Sequence, residues 1–304
     1  MTSSLAHAAV AGILLAAAGP PVAGQSGRAA PADLVVSTEW LAAHRGDPDI
    51  VLLQVDRSDS AYLAGHIPGA RFLGYAGIIA EVNGVLAELP PADSLRRLFE
   101  AAGVSTATHV VLTGQPLMVT RAFFTLDYLG HARVSVLDGG LTRWKAEGRE
   151  VTREAPPPGR GSLAVRPRPE LVASAEWVMA RVGKAGVSLV DARTDGEYLG
   201  TGERPGQRSN GHIPGARRLE WQDLFQRPDE FALKDRDLLA RLWAERAAPG
   251  DTVVAYCLTG IRASSAFFVS RLLGHPVKLY DGSYDEWAKK NLPLEKAATP
   301  LRSP

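Results

Sequence analysis

Short apolar segments rich in β-branched residues alternate along this chain with segments whose apolar positions recur at helical spacing. The clearest pair is a strand pattern at residues 253–256 and, after a short loop, a helical pattern at residues 264–273. Two more strands are predicted at residues 188–191 and 277–280. Strands that alternate with helices predict an α/β fold, in which a mainly parallel sheet carries helices on both faces.

The order of motifs along the chain is repeated. Gly-His-Ile-Pro-Gly-Ala-Arg occurs at residues 65–71 and again at residues 211–217. Four further motif pairs keep the same order: Ser-X-Glu-Trp at 37–40 and 174–177, Ala-Phe-Phe at 122–124 and 266–268, Leu-Gly-His at 129–131 and 273–275, and Asp-Gly with a following Trp at 138–144 and 281–287. Each copy is long enough for its own core, so we predict two tandem domains, at residues 33–150 and 168–297.

The segment between the two copies is rich in proline and glycine. Residues 155–159 read Ala-Pro-Pro-Pro-Gly. Proline and glycine at this density do not continue a helix or a central strand. We therefore predict that residues 151–167 form a linker that crosses the surface.

The amino terminus has a different pattern from the rest of the chain. Residues 8–18 form an apolar run that is too short to span a bilayer, and a Gly-Pro-Pro sequence ends it. Small residues then precede Gln25. This pattern is typical of a secretory signal peptide at residues 1–24, and it predicts a periplasmic or secreted protein. No Lys or Arg precedes the apolar run, so a tethering or disordered segment is the alternative.

The charge of the chain narrows the classes of partner. The 304 residues include 34 Lys and Arg and 33 Asp and Glu, which gives a net charge of +1. The chain has no basic stripe of the kind that binds nucleic acid. The seven histidines are scattered, and no Cys/His cluster has the spacing of metal ligands. We therefore expect a monomer with small-molecule partners, no bound metal and no membrane span.

Cys257 is the only cysteine in the chain, and it directly follows the predicted strand at residues 253–256. Ligands of parallel α/β sheets bind beyond the carboxyl ends of the strands. At the end of this strand, the backbone N–H groups of the following loop and of the first helical turn point toward one place. This arrangement favours a thiolate. A free cysteine is more commonly a small buried hydrophobe. The loop together with Arg262 favours a nucleophile instead.

The loop after Cys257 is the predicted substrate site. Gly260 permits a tight backbone path, with φ above zero. A ring of backbone N–H groups can hold a thiolate or a bound anion, and Arg262 adds a cation that is expected to face solvent or the incoming anion. The residues predicted to bind the reacting group are Leu258, Thr259, Gly260, Ile261 and Arg262.

The two halves differ at this loop. Alignment on the Ala-Phe-Phe motif places Thr113 opposite Cys257, and Met118 opposite Arg262. The first half therefore lacks both the thiol and the cation. We expect a non-catalytic first domain that contributes one wall of the site, because clefts between domains commonly bind ligands.

The motifs identify a family by resemblance. The doubled Gly-His-Ile-Pro-Gly-Ala sequence, the Asp-Gly/Trp pairs and the loop at 256–263 resemble those of a tandem-domain rhodanese, a thiosulfate or 3-mercaptopyruvate sulfurtransferase. The loop is similar to the Cys-x5-Arg cradle of cysteine phosphatases, but its Cys-x4-Arg spacing is one residue shorter and suits a single sulfur better than a phosphate.

The resemblance covers residues 33–295 and implies a mechanism. Cys257 is expected to carry a persulfide taken from a small-molecule donor such as thiosulfate, and to pass the sulfur to cyanide or a thiol. It implies no metal and no organic cofactor. A mercaptopyruvate sulfurtransferase, a persulfide carrier without turnover and, less in keeping with the loop length, a phosphatase are the alternatives.

Two departures from the family bear on the donor. Relatives that prefer thiosulfate often have basic residues after the cysteine and mercaptopyruvate-using relatives a Gly-Ser pair, whereas this chain has Leu258 and Thr259. Glu197 stands where relatives have a second substrate-contacting arginine, which disfavours a carboxylate-bearing donor. Arg193, in the family's Asp-x-Arg motif, either contacts substrate or is held in an ion pair with Glu197 or Asp191.

The histidines of the repeated motif are a further candidate. His66 and His212 could act as a base beside a cysteine. However, His66 lies in the half that has no nucleophile. We therefore predict that both histidines shape a turn. We also expect the paired tryptophans to belong to the scaffold.

Overall fold

The computed structural model describes Met1, residues 34–201 and residues 211–296. The predicted signal segment lies outside the described residues, apart from Met1. The described residues form two five-stranded sheets and two short antiparallel hairpins.

The first domain contains seven strands and five helices. Its strands are β1 Val35–Val36, β2 Ile50–Asp56, β3 Arg71–Gly74, β4 Ala80–Val82, β5 Val85–Glu88, β6 His109–Gly114 and β7 Val134–Leu137. Its helices are α1 Thr38–His44, α2 Ser60–Ala64, α3 Ala92–Ala101, α4 Pro116–Tyr128 and α5 Gly140–Ala146, and a 3₁₀ turn covers Tyr75–Ile78.

The second domain repeats this order of elements. Its strands are β8 Val172–Ala173, β9 Val187–Asp191, β10 Arg217–Arg218, β11 Phe225–Arg227, β12 Glu230–Leu233, β13 Thr252–Tyr256 and β14 Val277–Tyr280. Its helices are α6 Ala175–Met179, α7 Asp195–Leu199, α8 Arg236–Ala244, α9 Ala263–Leu273 and α10 Ser283–Lys289, with 3₁₀ turns at Pro169–Leu171 and Trp221–Leu224.

The two sheets have the same topology. The strand order is β1-β7-β6-β2-β3 in the first and β8-β14-β13-β9-β10 in the second. Every neighbouring pair within these two sheets is parallel. The predicted α/β fold with two tandem domains is therefore confirmed, and the strands expected at 188–191, 253–256 and 277–280 correspond to β9, β13 and β14.

The repeated motifs have local structural roles in both domains. The Ser of each Ser-X-Glu-Trp motif caps a helix, because the side chains of Ser37 and Ser174 accept hydrogen bonds from the backbone N–H groups of Trp40 and Trp177. The indole rings of Trp144 and Trp287 are buried.

The repeated histidines are buried in the turns that their motifs form. The ring of His66 stacks on Tyr62 with centroids 3.7 Å apart, and the ring of His212 stacks on Tyr198 at the same distance. Nδ1 of each histidine lies within 3.0 Å of the carbonyl oxygen of the same tyrosine. The prediction that both histidines shape a turn agrees with this geometry.

The domains pack through equivalent helices, α4 and α9. Phe123 meets Phe268 edge-on at 4.8 Å, and Phe124 meets Phe267 at 5.0 Å. One apolar cluster continues across both sheets. Each hairpin also reaches the other domain, since β5 packs on α10 and β12 packs on α5. The site at the end of β13 is therefore built against the first domain.

The predicted linker contains no helix or strand from residue 153 to residue 168. It runs along the first domain, where the N–H of Arg166 donates to the carbonyl of Leu129 at 2.9 Å. At Gly161 the backbones are so close that a Cβ would lie 1.9 Å from the carbonyl oxygen of Val104. No helix in the described part of the chain is long and apolar enough to cross a membrane.

Candidate active site

Cys257 lies at the carboxyl end of β13 and is 1% exposed. Its backbone N–H donates to Oγ of Ser283 at 3.2 Å, and its carbonyl accepts from the N–H of Tyr284 at 3.0 Å. The start of α10 therefore fixes the backbone of the thiol. Burial alone would equally fit a structural cysteine, so the polar groups around it decide what it can do.

Most carbonyls of the backbone after Cys257 turn toward the protein. The carbonyl of Leu258 accepts from the N–H of Asp285 at 3.0 Å, and the carbonyls of Gly260 and Ile261 accept from the N–H of Ser264 at 3.2 Å. Within residues 34–201 and 211–296, the five N–H groups of residues 258–262 have no acceptor. Unbonded N–H groups next to a thiol are available as donors to a thiolate or a persulfide.

Gly260 adopts the conformation that the sequence predicted. Its φ is +80°, in the left-handed region. A Cβ at this position would lie 2.6 Å from Oδ1 of Asp281. Both the backbone angle and the close approach of Asp281 therefore require glycine.

Arg262 is held by Glu197. Its two terminal nitrogens donate to the two carboxylate oxygens of Glu197 at 2.7 and 2.8 Å, and both side chains are largely buried. Burial alone would raise the pKa of Glu197, but the hydrogen bonds and charge of Arg262 outweigh it and lower the pKa to about 2. The expectation that Arg262 faces solvent or an incoming anion is corrected, because its charge is already paired.

Arg262 nevertheless lies near the thiol. Burial opposes its charge, but its bonds with Glu197 and the negative charge of Cys257 raise its pKa above the usual value. The sequence alone predicts that Glu197 disfavours a carboxylate-bearing donor. The structure shows that Glu197 also removes the free cation from the loop.

Arg193 is a buried structural residue. It is 1% exposed and donates to Asp191, through Nε at 3.0 Å and through Nη2 at 2.7 Å. It also donates to the carbonyl of Gly211 at 2.9 Å, and its guanidinium stacks on Tyr284 at 4.0 Å. Of the two roles that the sequence left open, this geometry favours the ion pair with Asp191.

The first domain supports the loop after Cys257 from outside. Arg121 in α4 is fully buried and donates to both carboxylate oxygens of Asp281, with Nη2 at 3.2 Å from Oδ2. The N–H of Leu89 donates to the same oxygen at 2.8 Å. Because Asp281 contacts Gly260, two groups of the first domain hold the residue on which the loop rests.

The loop of the first domain has no comparable chemistry. The side chain of Thr113 is buried, with 1% exposure, and Met118 is a core residue of α4. Neither replaces the thiol or the cation. The expectation of a wall from the first domain fits the position of Arg121.

Ser283 and Arg121 are the site residues that sequence reasoning missed. The signal for Ser283 was present, because the repeat reads Asp-Gly-Gly at 138–140 and Asp-Gly-Ser at 281–283. Only the half with the thiol has the hydroxyl that binds its backbone N–H. Arg121 gave no comparable signal, since its partner lies 160 residues away.

Comparison with known proteins assigns the family. The profile of the Rhodanese-like domain matches residues 37–147 and 174–290. A thiosulfate sulfurtransferase of Azotobacter vinelandii is 33% identical over 257 residues, which cover 84% of this chain and 93% of that protein. The sulfur carrier protein TtuD of Thermus thermophilus is 33% identical over 273 residues, with the same two coverages.

A solved structure extends the comparison to the fold. The 3-mercaptopyruvate sulfotransferase SseA of Escherichia coli has a TM-score of 0.72 and 26% identity, and the match covers 83% of this chain and 98% of that one. The two matched regions, the shared topology and the relatives agree with the resemblance seen in the motifs. The chain belongs to the rhodanese family and is a tandem-domain sulfurtransferase.

Proposed function

We propose that this protein is a thiosulfate sulfurtransferase that carries sulfur as a persulfide on Cys257. The observation that carries the proposal is the set of unbonded N–H groups at residues 258–262, beside a thiol at the end of β13. Such donors stabilise a compact anion because they are already oriented before the reaction begins.

The reaction divides into two steps that share the persulfide. The thiolate of Cys257 attacks the outer sulfur of thiosulfate and forms a new S–S bond. The old S–S bond breaks, and sulfite leaves with its electron pair. A cyanide ion or a thiolate then attacks the outer persulfide sulfur, and Cys257 leaves as a thiolate. One covalent intermediate between two substrates predicts ping-pong kinetics.

The paired arginines disfavour a carboxylate-bearing donor such as mercaptopyruvate. Mercaptopyruvate has a carboxylate, which arginine binds best with both arms of a free guanidinium. Here both terminal nitrogens of Arg262 are bonded to Glu197, and Arg193 is buried against Asp191. Neither of these two arginines of the second domain is therefore free to bind a carboxylate.

A persulfide carrier is the second candidate, and the relative named as a sulfur carrier favours it. The buried position of Cys257 suits storage as well as turnover, because bulk water and oxidants have little access to a sulfur at 1% exposure. A carrier would form the persulfide but release sulfur only to a partner protein.

Intact-mass measurement after addition of thiosulfate tests the proposal. We expect a gain of one sulfur atom, absent in Cys257→Ser, and release of that sulfur as thiocyanate when cyanide is added. Sulfur uptake from mercaptopyruvate alone would favour the other sulfurtransferase. Uptake without release to cyanide or to small thiols would favour the carrier.

We also propose that residues 1–24 direct export. The apolar run, its Gly-Pro-Pro end and the small residues before Gln25 support this proposal. Expression of the full chain in a Gram-negative host should yield periplasmic protein whose first residue is Gln25. Protein that remains in the cytoplasm with its amino terminus intact would contradict it.

A further inference from the structure

A dianionic donor such as thiosulfate requires positive charge, and the two arginines predicted to bind it are already paired. Arg262 is paired with Glu197, and Arg193 with Asp191. This inference rests on the proposed function and concerns where the remaining cation comes from. The first domain faces the same loop and provides a candidate.

Arg57 and Tyr75 lie side by side at the carboxyl edge of the first sheet. Strands β2 and β3 are neighbours, and their last residues, Asp56 and Gly74, pair in register. The residues that follow these two therefore leave the sheet together. The guanidinium carbon of Arg57 lies 5.6 Å from the centroid of the Tyr75 ring.

The charge of Arg57 is available to a ligand. Its side chain is exposed, and no carboxylate in the described part of the chain forms an ion pair with it. The second domain has no equivalent cation, because the residue after the strand-ending Asp191 is Ala192, which is buried. The cation is therefore specific to the domain that lacks the thiol.

The hydroxyl of Tyr75 has no partner. The residue is 4% exposed, and its oxygen is buried without a hydrogen bond to any residue that the structure describes. A buried hydroxyl without a partner is unfavourable for folding unless it meets a ligand. The hydroxyl is therefore a candidate donor to a bound group.

Tyr75 lies on the 3₁₀ turn that packs on α4, and Arg121 of α4 is bonded to Asp281, the residue that lies against Gly260 in the loop after Cys257. Burial raises the pKa of the Tyr75 phenol to about 12, Arg121 and Arg57 lower that pKa, and the negative charges of Cys257 and Asp281 raise it. The phenol keeps its proton at neutral pH and remains a hydrogen-bond donor.

We propose that Arg57 and Tyr75 of the first domain bind the oxyanion end of the sulfur donor. The hydroxyl of Tyr75 donates to a sulfonate oxygen on the buried side, and Arg57 balances the charge on the exposed side. When the S–S bond of thiosulfate breaks, sulfite keeps the electron pair, so both groups stabilise the leaving group. The non-catalytic domain then determines which donor is used.

Two variants and two matched controls test this proposal. Tyr75→Phe and Arg57→Gln should each lower kcat/KM for thiosulfate about tenfold, the usual cost of one hydrogen bond to a charged group. Tyr62→Phe removes a buried hydroxyl that bonds the carbonyl of Ala70 at 2.9 Å, and Arg45→Gln removes an exposed arginine of the same domain. Both controls should keep kcat/KM, and Tyr62→Phe alone should lower the melting temperature.

A binding measurement separates this proposal from the proposed function. Thiosulfate binding is measured by calorimetry on Cys257→Ser, which cannot react, and on Cys257→Ser with Arg57→Gln. We expect the second change to weaken binding about tenfold. Equal affinities, or kcat/KM values for Tyr75→Phe and Arg57→Gln that match those of the controls, would overturn the proposal. Persulfide formation by the unaltered protein would leave the proposed function intact in that case.

A protein that forms no persulfide would instead contradict the proposed function. Loss of thiosulfate binding on Arg57→Gln would still support an oxyanion site in such a protein. No binding to Cys257→Ser at all would overturn the site as well.

Discussion

Arg262 donates two hydrogen bonds to Glu197, and this pair neutralises the one arginine of the catalytic loop. The two residues lie 65 positions apart, at the start of α9 and in the first turn of α7. A cradle whose cation is paired presents mainly backbone N–H groups to its ligand. Such a cradle suits a single sulfur anion better than a carboxylate.

Glu197→Gln tests this relationship through donor choice. The variant keeps the shape of the side chain but leaves the guanidinium of Arg262 without its counter-charge. We expect kcat/KM for mercaptopyruvate to rise relative to that for thiosulfate by about tenfold, since a free guanidinium binds a carboxylate with charge-assisted bonds. Steady-state kinetics with both donors measure the ratio. Glu176→Gln, on the surface of α6, is the control, and an unchanged ratio in Glu197→Gln would contradict the role given to the pair.

The same pair predicts a dependence of stability on pH. The pKa of Glu197 is about 2 in the folded protein, against an ordinary value of 4.5 for a glutamate side chain. A carboxyl with a lowered pKa stabilises the fold above the unfolded pKa, and this contribution is lost as the pH falls from 4.5 toward 2. The difference corresponds to about 3 kcal/mol at neutral pH.

Urea unfolding of the unaltered protein and of Glu197→Gln measures this contribution. We expect the variant to be less stable by about 3 kcal/mol at pH 7, because it leaves a largely buried arginine unpaired. The gap between the two proteins should narrow between pH 4.5 and pH 3. A gap that is constant over this range would show that the carboxylate charge is not the source of the stability.

Much of the site followed from the sequence because it is local. Cys257, the strand before it and Gly260 lie within a few residues of each other, and the spacing of apolar residues is enough to place them. The pairing of Glu197 with Arg262 was not predictable, since it depends on how α7 and α9 are brought together. The sequence supplied both charges but not the distance between them.

The contribution of the first domain was predictable only in outline. The repeat indicated that a domain without the thiol would form a wall. Which residues form it depends on the packing of α4 on α9, which places Arg121 against Asp281, 160 positions along the chain. An alignment of the two halves shows which positions are equivalent, but it does not show which residues of the two domains are in contact.

Glu88 gives a second pH prediction, of opposite sign. It ends β5, on the hairpin that packs on α10 of the second domain. Burial raises its pKa to about 7, and the nearby charges of Asp281 and Glu286 add to this effect. A carboxyl with a raised pKa contributes stability that is complete below the unfolded value, and this is lost as the pH rises through about 7.

Thermal unfolding between pH 5 and pH 8 measures the effect of Glu88. We expect the unaltered protein to lose stability relative to Glu88→Gln as the pH rises over this range. Glu81→Gln, an exposed change in the same hairpin, should follow the unaltered protein. Parallel curves for Glu88→Gln and the unaltered protein would show that Glu88 does not ionise in this range.

Gly260→Ala and Gly250→Ala distinguish the two reasons for glycine in the catalytic loop. Both glycines have nearly the same positive φ, +80° at Gly260 and +83° at Gly250, so alanine brings the same backbone strain of about 1 kcal/mol to each. Only Gly260 meets a neighbour, since a Cβ there lies 2.6 Å from Oδ1 of Asp281, whereas nothing lies within 4 Å at Gly250. Gly260→Ala must therefore displace Asp281 or the loop, and it should cost about 3 kcal/mol in total.

We expect Gly260→Ala to abolish most persulfide formation, measured by intact mass after a short exposure to thiosulfate, while Gly250→Ala retains persulfide formation. Equal activity in the two variants would mean that the contact between the loop and Asp281 does not position Cys257.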